Sequence, residues 1–338
     1  MQNDDTDQKI ISIAIPTYNG SEFLTETLHS ILSQPLSDKV EVVLCDDRST
    51  DATRQIAGKF RDDHDNVKLF ENRENLGMDR NFEQVAAHAT GKYVWFCGQD
   101  DIIGQGAIEK VLSVLQGDSA VDFIFANYGQ YDHTMNNVIA DRVLCLESDV
   151  VCADAKDFLS TVGMNLPTFL PAYILRKSLW DRIDKKPFYG TQYIQVGVLL
   201  ALLPDIKTYI IAHPYVKGRI PDNGWQRSYL KVLDIFTGYL EVITYYHRLN
   251  PDLITDAIYK EHFQFCWKNI LSLIVKIRLE HLSLNEKLLE RLPRIFSFAY
   301  LSFVKMLLAL PSRFMKVMVN AAKMAKDMLM KKHDQHAA

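Results

Sequence analysis

Residues 10–20, IISIAIPTYNG, and residues 40–51, VEVVLCDDRSTD, read alike: a short apolar run that stops abruptly at polar residues. Runs this short, rich in Ile and Val and closed by Pro16 or by Asp46-Asp47, are strands buried on both faces. Working outward, Phe23, Leu24, Leu28, Ile31 and Leu32 fall at helical spacing, with Ser21 as a candidate N-cap. Thr50 to Phe60 reads as a second helix and Val67 to Phe70 as a third strand. Asn81 to Ala89 is helical, Tyr93 to Cys97 is a fourth strand, Ala107 to Leu115 a helix and Val121 to Ala126 a fifth strand. This alternation predicts an α/β fold with a mostly parallel sheet covered on both faces by helices. Such sheets bind ligands beyond the carboxyl ends of their strands. The polar clusters after Ile15, Leu44 and Cys97 all fall at that edge.

Past about Pro214 the pattern changes to long helical stretches, at Tyr229 to Leu249, Pro251 to Leu279 and Asn285 to Leu310. A last helical segment covers Ser312 to His333. The expected division is therefore a sheet domain over residues 1–215, a helical region over 216–311 and a terminal amphipathic helix over 312–338. No internal repeat or low-complexity linker separates them.

The composition of the 338 residues, 48% hydrophobic and 24% charged, is that of a globular protein. A net charge of -4 excludes a globally basic nucleic-acid binder. Cys45, Cys97, Cys145, Cys152 and Cys266 form no CxxC pair, which argues against a zinc knuckle or disulfide framework and for thiols in a reducing compartment. Residues 1–8 are polar and acidic, unlike a secretory leader. The longest apolar run, Val196 to Leu203, ends at Pro204, far short of the roughly 18 residues that span a bilayer. A cytoplasmic protein is expected, with any membrane contact confined to the surface.

Four pieces carry chemistry: Pro16-Thr17-Tyr18-Asn19, Asp46 to Asp51, Asn75-Leu76-Gly77-Met78-Asp79-Arg80-Asn81, and Gly98-Gln99-Asp100-Asp101. Singly, each has a plain reading. Paired aspartates at a strand end also cap helices, Gly77 also suits an ordinary turn, and Arg80 could simply pair with Asp79 or Asp47. Their order and spacing are more specific. The phrases SIAIPTYNG, VEVVLCDDRSTDAT and NLGMDRNFEQVAAHATGKYVWFCGQDD, across residues 10 to 130, resemble family 2 glycosyltransferases of the GT-A fold. GMDRNF followed by GxDD is most similar to bacterial O-antigen sugar transferases of the abequosyltransferase kind.

The resemblance implies that Pro16, Thr17, Tyr18 and Asn19 line a base pocket and that Asp47 meets the base edge. A carboxylate there accepts from uracil N3–H or from the cytosine amine, which leaves UDP-, CDP- and dTDP-sugars open. Gly77 would allow close backbone approach. Arg80 suits the diphosphate or the base pocket, because a guanidinium fork matches phosphate oxygens. Asp101 and Asp100 would hold Mg²⁺ or Mn²⁺, with Asp100 alternatively on the ribose. Many relatives carry an acid two positions before this pair, where Gly98 stands here. An inverting transferase also needs a base on the acceptor hydroxyl. The matching phrase, Gly190-Thr191-Gln192-Tyr193, has no acid, leaving Asp184, beside Asp181 on a turn, and His213 as weak candidates. A base from elsewhere or a retaining reaction is equally open.

Arg219 and Trp225, within a basic stretch from Lys217 to Arg227, could close over a diphosphate or stack on an acceptor sugar, or could belong to a linker. Residues 313 to 332 hold six Lys or Arg and one acid. Arg313, Lys316, Lys323 and Lys331 lie on one helical face, opposite Phe314, Met318 and Leu329, which suits an anionic membrane surface or a packed subunit. The expected protein is a metal-dependent glycosyltransferase acting on a glycan carried on a polyprenyl diphosphate, at the inner face of the cell membrane. The rivals are a nucleotidyltransferase, which should carry a glycine-rich basic loop where Thr17-Tyr18-Asn19-Gly20 stands, and a non-catalytic sugar-nucleotide-binding scaffold.

Overall fold

The computed structural model describes residues 8–117, 121–220 and 228–311. The chain divides into two compact units, residues 1–222 with 250–253, and residues 223–249 with 254–338.

The first unit opens with β1 (Ile11–Thr17), α1 (Leu24–Leu32), β2 (Val40–Asp46), α2 (Thr53–Asp63), β3 (Val67–Glu71), α3 (Met78–His88) and β4 (Tyr93–Phe96). It continues with β5 (Ile102–Ile103), α4 (Ala107–Gln116), β6 (Phe123–Tyr131), β7 (Val138–Ala140), β8 (Val150–Val151) and α5 (Ala155–Val162). The last elements are β9 (Tyr173–Arg176), α6 (Lys177–Arg182), α7 (Ile194–Leu202) and β10 (Thr208–Arg219), which carries the sheet past residue 215. The strands form one sheet in the order β3-β2-β1-β4-β9-β6-β10-β5. From β3 to β4 every pairing is parallel, with Ile13 beside both Val42 and Trp95. β9 then runs antiparallel to β4 and β6, and β10 returns parallel to β6.

Burial explains the strand sequences. β2 has no exposed residue, and β1 is buried along nearly its whole length. An apolar run with helices on both faces needs no polar alternation. The middle of the sheet is filled by Trp95, Phe96, Phe123, Tyr173 and Trp180, in tilted or edge-to-face contacts such as Phe96–Trp180 at 4.9 Å and Phe123–Tyr173 at 5.0 Å. Glu41 is the exception in β2. Its carboxylate accepts from Ser12 Oγ and from the Thr90 backbone and hydroxyl, and pairs with Lys68 Nζ at 2.7 Å. Burial works to raise its pKa, but these partners outweigh it and hold the group charged.

The sequence places the start of the second helix near Thr50; it starts at Thr53. Asp51 delays it by accepting from the Thr53 N–H at 3.0 Å and from its hydroxyl. In sheets of this order the strand order reverses between β1 and β4, and the loops leaving those two strands diverge to leave a crevice. The Pro16–Gly20 and Gly98–Asp101 loops are those two loops.

The second unit is helical: α8 (Tyr229–Leu249), α9 (Asp256–Leu279), α10 (Glu286–Ile295) and α11 (Phe298–Ala309). Thr255 caps α9, so this helix begins five residues after Pro251. The single helix expected from Asn285 to Leu310 is two, broken at Phe296-Ser297, where both residues are extended. Pro293 has no N–H to carry the ladder of the last turn of α10. α10 is fastened to α8 by buried Arg291, which donates to the carboxylates of Asp234 and Glu241. The expected amphipathic helix over 312–338, with Arg313, Lys316, Lys323 and Lys331, and the candidate Trp225 lie outside the described residues.

Candidate active site

Two aspartate pairs mark the carboxyl edge of the sheet, and they are built differently. Asp46, at the end of β2, is fully buried. It accepts from the Ser49 N–H at 2.8 Å and from the Ser49 hydroxyl, which bends the chain so that Arg48 takes a φ of 65°. Asp47 is 2% exposed, and its carboxylate accepts three hydrogen bonds. These come from Asn72 Nδ2 at 2.8 Å, the Leu76 N–H at 2.8 Å and the Gly77 N–H at 2.9 Å. Asp47 thus holds the entry to α3, where Gly77 turns at a φ of 83°. Asn81, one turn into α3, donates to the carbonyls of Cys45 and Thr17 and ties the same corner to β1 and β2.

The loop after β1 is fixed from both sides. The Asn19 N–H donates to Ser49 Oγ at 2.9 Å, and Asn19 Oδ1 accepts from the Thr50 N–H at 2.8 Å. The Gln99 amide pairs with the Tyr18 backbone, accepting its N–H at 2.9 Å and donating to its carbonyl at 3.1 Å. A Cβ at Gly20 would lie 2.2 Å from Gln99 Oε1, so a larger residue there would push this amide off the Tyr18 backbone. Tyr18 therefore has a pinned backbone and an exposed ring.

The second pair lies just beyond Gln99. Asp101 is 5% exposed, and its Oδ1 accepts from the Arg219 N–H at 3.1 Å. Both carboxylates crowd over Gly98: a Cβ there would sit 2.3 Å from Asp101 Oδ2 and 3.0 Å from Asp100 Oδ1. Burial, then the charge of Asp100, pushes the Asp101 pKa well above the usual carboxylate range, against the pull of Arg219. Burial raises Asp100 as well, opposed by a backbone hydrogen bond and by Arg219. Burial and the Asp101 charge push the Tyr128 phenol up to about 12.

Arg219, at the end of β10, is buried and fully engaged. It donates to the Asp100 carbonyl at 2.9 Å, to the His133 carbonyl and to Glu26 of α1, and lies over the Phe23 ring at 4.3 Å. Its positive charge stands beside the two aspartates as part of the scaffold.

The structure thus gathers Pro16 to Asn19, Asp47, Gly77, Asp100, Asp101 and Arg219 along one edge. Arg80 flanks it, its guanidinium 5.1 Å from the centre of the Tyr189 ring, with Asp47 and Asp79 both accepting backbone N–H groups. His213 and Asp184 do not join the group. His213 is exposed in the bulge of β10, edge-on to Tyr215, six residues before Arg219 and so as much as ~20 Å along the strand. Asp184 accepts from the Lys186 N–H in an exposed turn.

The tertiary contacts of Gln99, Glu26, Arg219 and Asp79 are not legible in the sequence. Gln99 sits inside the GxDD phrase, but its bond to Tyr18 crosses between strands. Glu26 and Arg219 meet from opposite ends of the sheet unit. Asp79 is 4% exposed and accepts from the Gln192 and Ile194 N–H groups at 3.0 and 3.3 Å, so α3 caps the turn that leads into α7. Gln192 holds a φ of 70° in that turn, a conformation costly for a side chain of this kind.

Asp100 and Asp101 are the residues of this edge that could help to hold a divalent cation. Two desolvated carboxylates cannot both stay charged without a neutralising partner. Among the described residues no cluster of three or more His, Cys, Asp or Glu side chains could hold a metal ion by itself. The donor set therefore fits an ion such as Mg²⁺ or Mn²⁺ that takes its remaining ligands from substrate phosphates and water.

Comparison with known proteins agrees with this geometry. The model of the family described as Glycosyl transferase family 2 matches residues 12–182. The chain belongs to that family, and it is a glycosyltransferase that takes its sugar from a nucleotide-sugar donor. It is similar to the abequosyltransferase RfbV of Salmonella typhimurium, 26% identical over 260 residues, covering 72% of this chain and 77% of that protein. It is also similar to the poly(ribitol-phosphate) beta-N-acetylglucosaminyltransferase TarS of Staphylococcus aureus. There it is 36% identical over 280 residues, 79% of this chain but only 46% of that longer protein. The crystal structure of TarS residues 1–349 with UDP superposes with a TM-score of 0.60 at 19% identity, covering 93% of this chain and 92% of that one. The mannosyltransferase PcManGT of Pyrobaculum calidifontis, solved with GDP-Man and Mn²⁺, gives 0.54 at 15% identity, covering 89% and 85%. At these identities the two structures establish the fold.

Proposed function

We propose that the chain is a metal-dependent hexosyl- or deoxyhexosyltransferase acting on a hydroxyl of a growing, polyprenyl-diphosphate-linked glycan of the O-antigen or surface-polysaccharide type. The observation that carries metal dependence is the convergence over Gly98 of the carboxylates of half-buried Asp100 and buried Asp101. A nucleoside diphosphate lying in the crevice between the β1 and β4 loops would bring its phosphates to this pair. The resemblance to a mannosyltransferase solved with GDP-Man and Mn²⁺ supports the same reading.

In this reading the exposed ring of Tyr18 is the platform for the base, since its backbone is locked by Gln99 and loses little freedom on binding. Asp47 keeps Leu76 and Gly77 in place as the opposite wall, and Oδ2, with one backbone donor, can accept from the base edge. Arg80 is held over Tyr189 within reach of the diphosphate side, where its fork suits phosphate oxygens. Asp100 and Asp101 would hold Mg²⁺ or Mn²⁺, and the chemistry such an ion would supply is neutralisation of negative charge on the departing diphosphate. Arg219 keeps the aspartate loop from splaying and offsets part of its charge. The oxygen of the acceptor hydroxyl forms the new bond to the anomeric carbon as the bond to the diphosphate breaks, and the hydroxyl proton leaves to a general base or to the departing diphosphate oxygen.

The type of sugar rests on the similarity to an abequosyltransferase, and the polymeric acceptor on the similarity to an enzyme named for poly(ribitol phosphate). A panel of UDP-, CDP- and dTDP-sugars, assayed for nucleoside diphosphate release with Mn²⁺, Mg²⁺ or EDTA, tests the reading. Release from one class of donor, abolished by EDTA, is expected. Equal release in EDTA removes the metal, and binding without any turnover marks a non-catalytic scaffold.

A further inference from the structure

We infer that α11 is a docking surface for anionic phospholipid, lying in the plane of the membrane interface. Among its residues only Val304 and Leu307 are buried. Phe298 is 86% exposed, Met306 49%, Phe303 42% and Tyr300 39%. A helix this apolar with most of its surface in water is a binding surface awaiting a partner. It is held in place on α9: Trp267 packs on Tyr300 with ring centres 4.8 Å apart, and Phe263 on Tyr300 at 5.0 Å. Beside Phe303 and Leu307 a groove of about 410 Å³ opens against Leu271, Val275 and Leu279 of α9, with Lys276 on its wall.

Charge identifies the partner. α11 has no acid, and its one charged residue is Lys305. Arg278 and Lys276 stand in the last turn of α9, and the Arg278 Nε donates to the Leu310 carbonyl just after α11. The sequence that follows, residues 313 to 332, adds six Lys or Arg against one acid. A second copy presenting the same face would set cation against cation. A surface of anionic headgroups over acyl chains answers both features, since cations meet phosphates while aromatic side chains enter the interface. At ~1.5 Å per residue α11 is about 18 Å long and cannot cross the roughly 30 Å hydrocarbon layer. Among the described residues no helix is long and apolar enough to cross a membrane.

The inference is independent of the donor site, and one experiment separates the two. The full chain is sedimented with vesicles of phosphatidylcholine, or of phosphatidylcholine with roughly one-third phosphatidylglycerol, beside a Phe298→Ser/Phe303→Ser variant. Melting temperature, size in solution and nucleoside diphosphate binding are measured in parallel. Expected is binding to the anionic vesicles only, weakened in the variant about tenfold or more per phenylalanine, with folding and nucleotide binding unchanged. Failure to bind vesicles, or equal binding by the variant, overturns the inference. So does a lower melting temperature in the variant, which would make the chain's own residues the cover. A dimer that the variant loses would make a second copy the cover and overturn it too.

Discussion

Asp46-Asp47 and Asp100-Asp101 are the same dipeptide at the ends of two strands of one sheet, yet they face opposite electrostatic situations. The first pair is buried and satisfied: Asp46 and Asp47 between them accept backbone and side-chain hydrogen bonds from Ser49, Asn72, Leu76 and Gly77. The second pair is in conflict: burial raises both carboxyl pKa values, and the charge of Asp100 raises Asp101 further. A protein bears such conflict where a ligand relieves it. In the proposed function the first corner shapes the pocket and the second meets the charge of the substrate.

The largest expected effect tests the second corner. Asp101→Asn should lower sugar transfer by about a thousandfold or more while leaving the melting temperature unchanged or slightly higher, because a repelled buried charge is removed. Steady-state transfer with a thermal melt on the same sample checks both halves. A variant that unfolds instead would place Asp101 with the first pair.

Next is Gly98→Ala. A methyl group 2.3 Å from Asp101 Oδ2 must displace that carboxylate, and Mn²⁺ required for half-maximal activity should rise roughly tenfold or more. An unchanged Mn²⁺ requirement would show that the convergence over Gly98 is not used.

Asp47→Asn should act through stability. An amide nitrogen set against backbone N–H groups leaves donors unsatisfied, so denaturant titration should show a loss of about 2 kcal/mol. Wild-type stability with lost nucleotide binding would reverse the assignment of Asp47 to the scaffold.

The smallest effect concerns Asp51, which shares the first corner. Burial raises its pKa, but hydrogen bonds from Thr53 and Ser21 prevail and lower it to about 2 from a usual value of 3.8. Its folded-state pKa is depressed, so its contribution is complete above about pH 4 and disappears as pH falls toward 2. Asp51→Asn should therefore destabilise the protein at pH 7 and differ less from wild type at pH 3. A difference that does not shrink in acid would mean that the charge of Asp51 is irrelevant.

Much of the first unit could be read from its residues. Apolar runs closed by Pro16, Asp46 and Gly98 announce β1, β2 and β4, because strands buried on both faces must be apolar throughout. The antiparallel half could not be read this way. β9 is four residues long, and its place between β4 and β6 depends on distant partners such as Trp95 and Ile124. The site divides along the same line. Asp100 and Asp101 are visible as a motif, whereas Arg219 joins them only through the return of β10, and Asp79 meets Gln192 only through tertiary packing. The missed break at Phe296-Ser297 has a local cause, since Pro293 weakens the helix and Ser297 restarts it.

In the proposed function the Asp100–Asp101 corner admits a nucleoside diphosphate only together with a divalent cation. Calorimetric titration of UDP, CDP and dTDP into the full chain, with Mn²⁺ and with EDTA, decides this. Tight binding of at least one nucleotide that needs Mn²⁺ and vanishes in Asp101→Asn is expected. Equal affinity in EDTA, or in the variant, would rule the cation out.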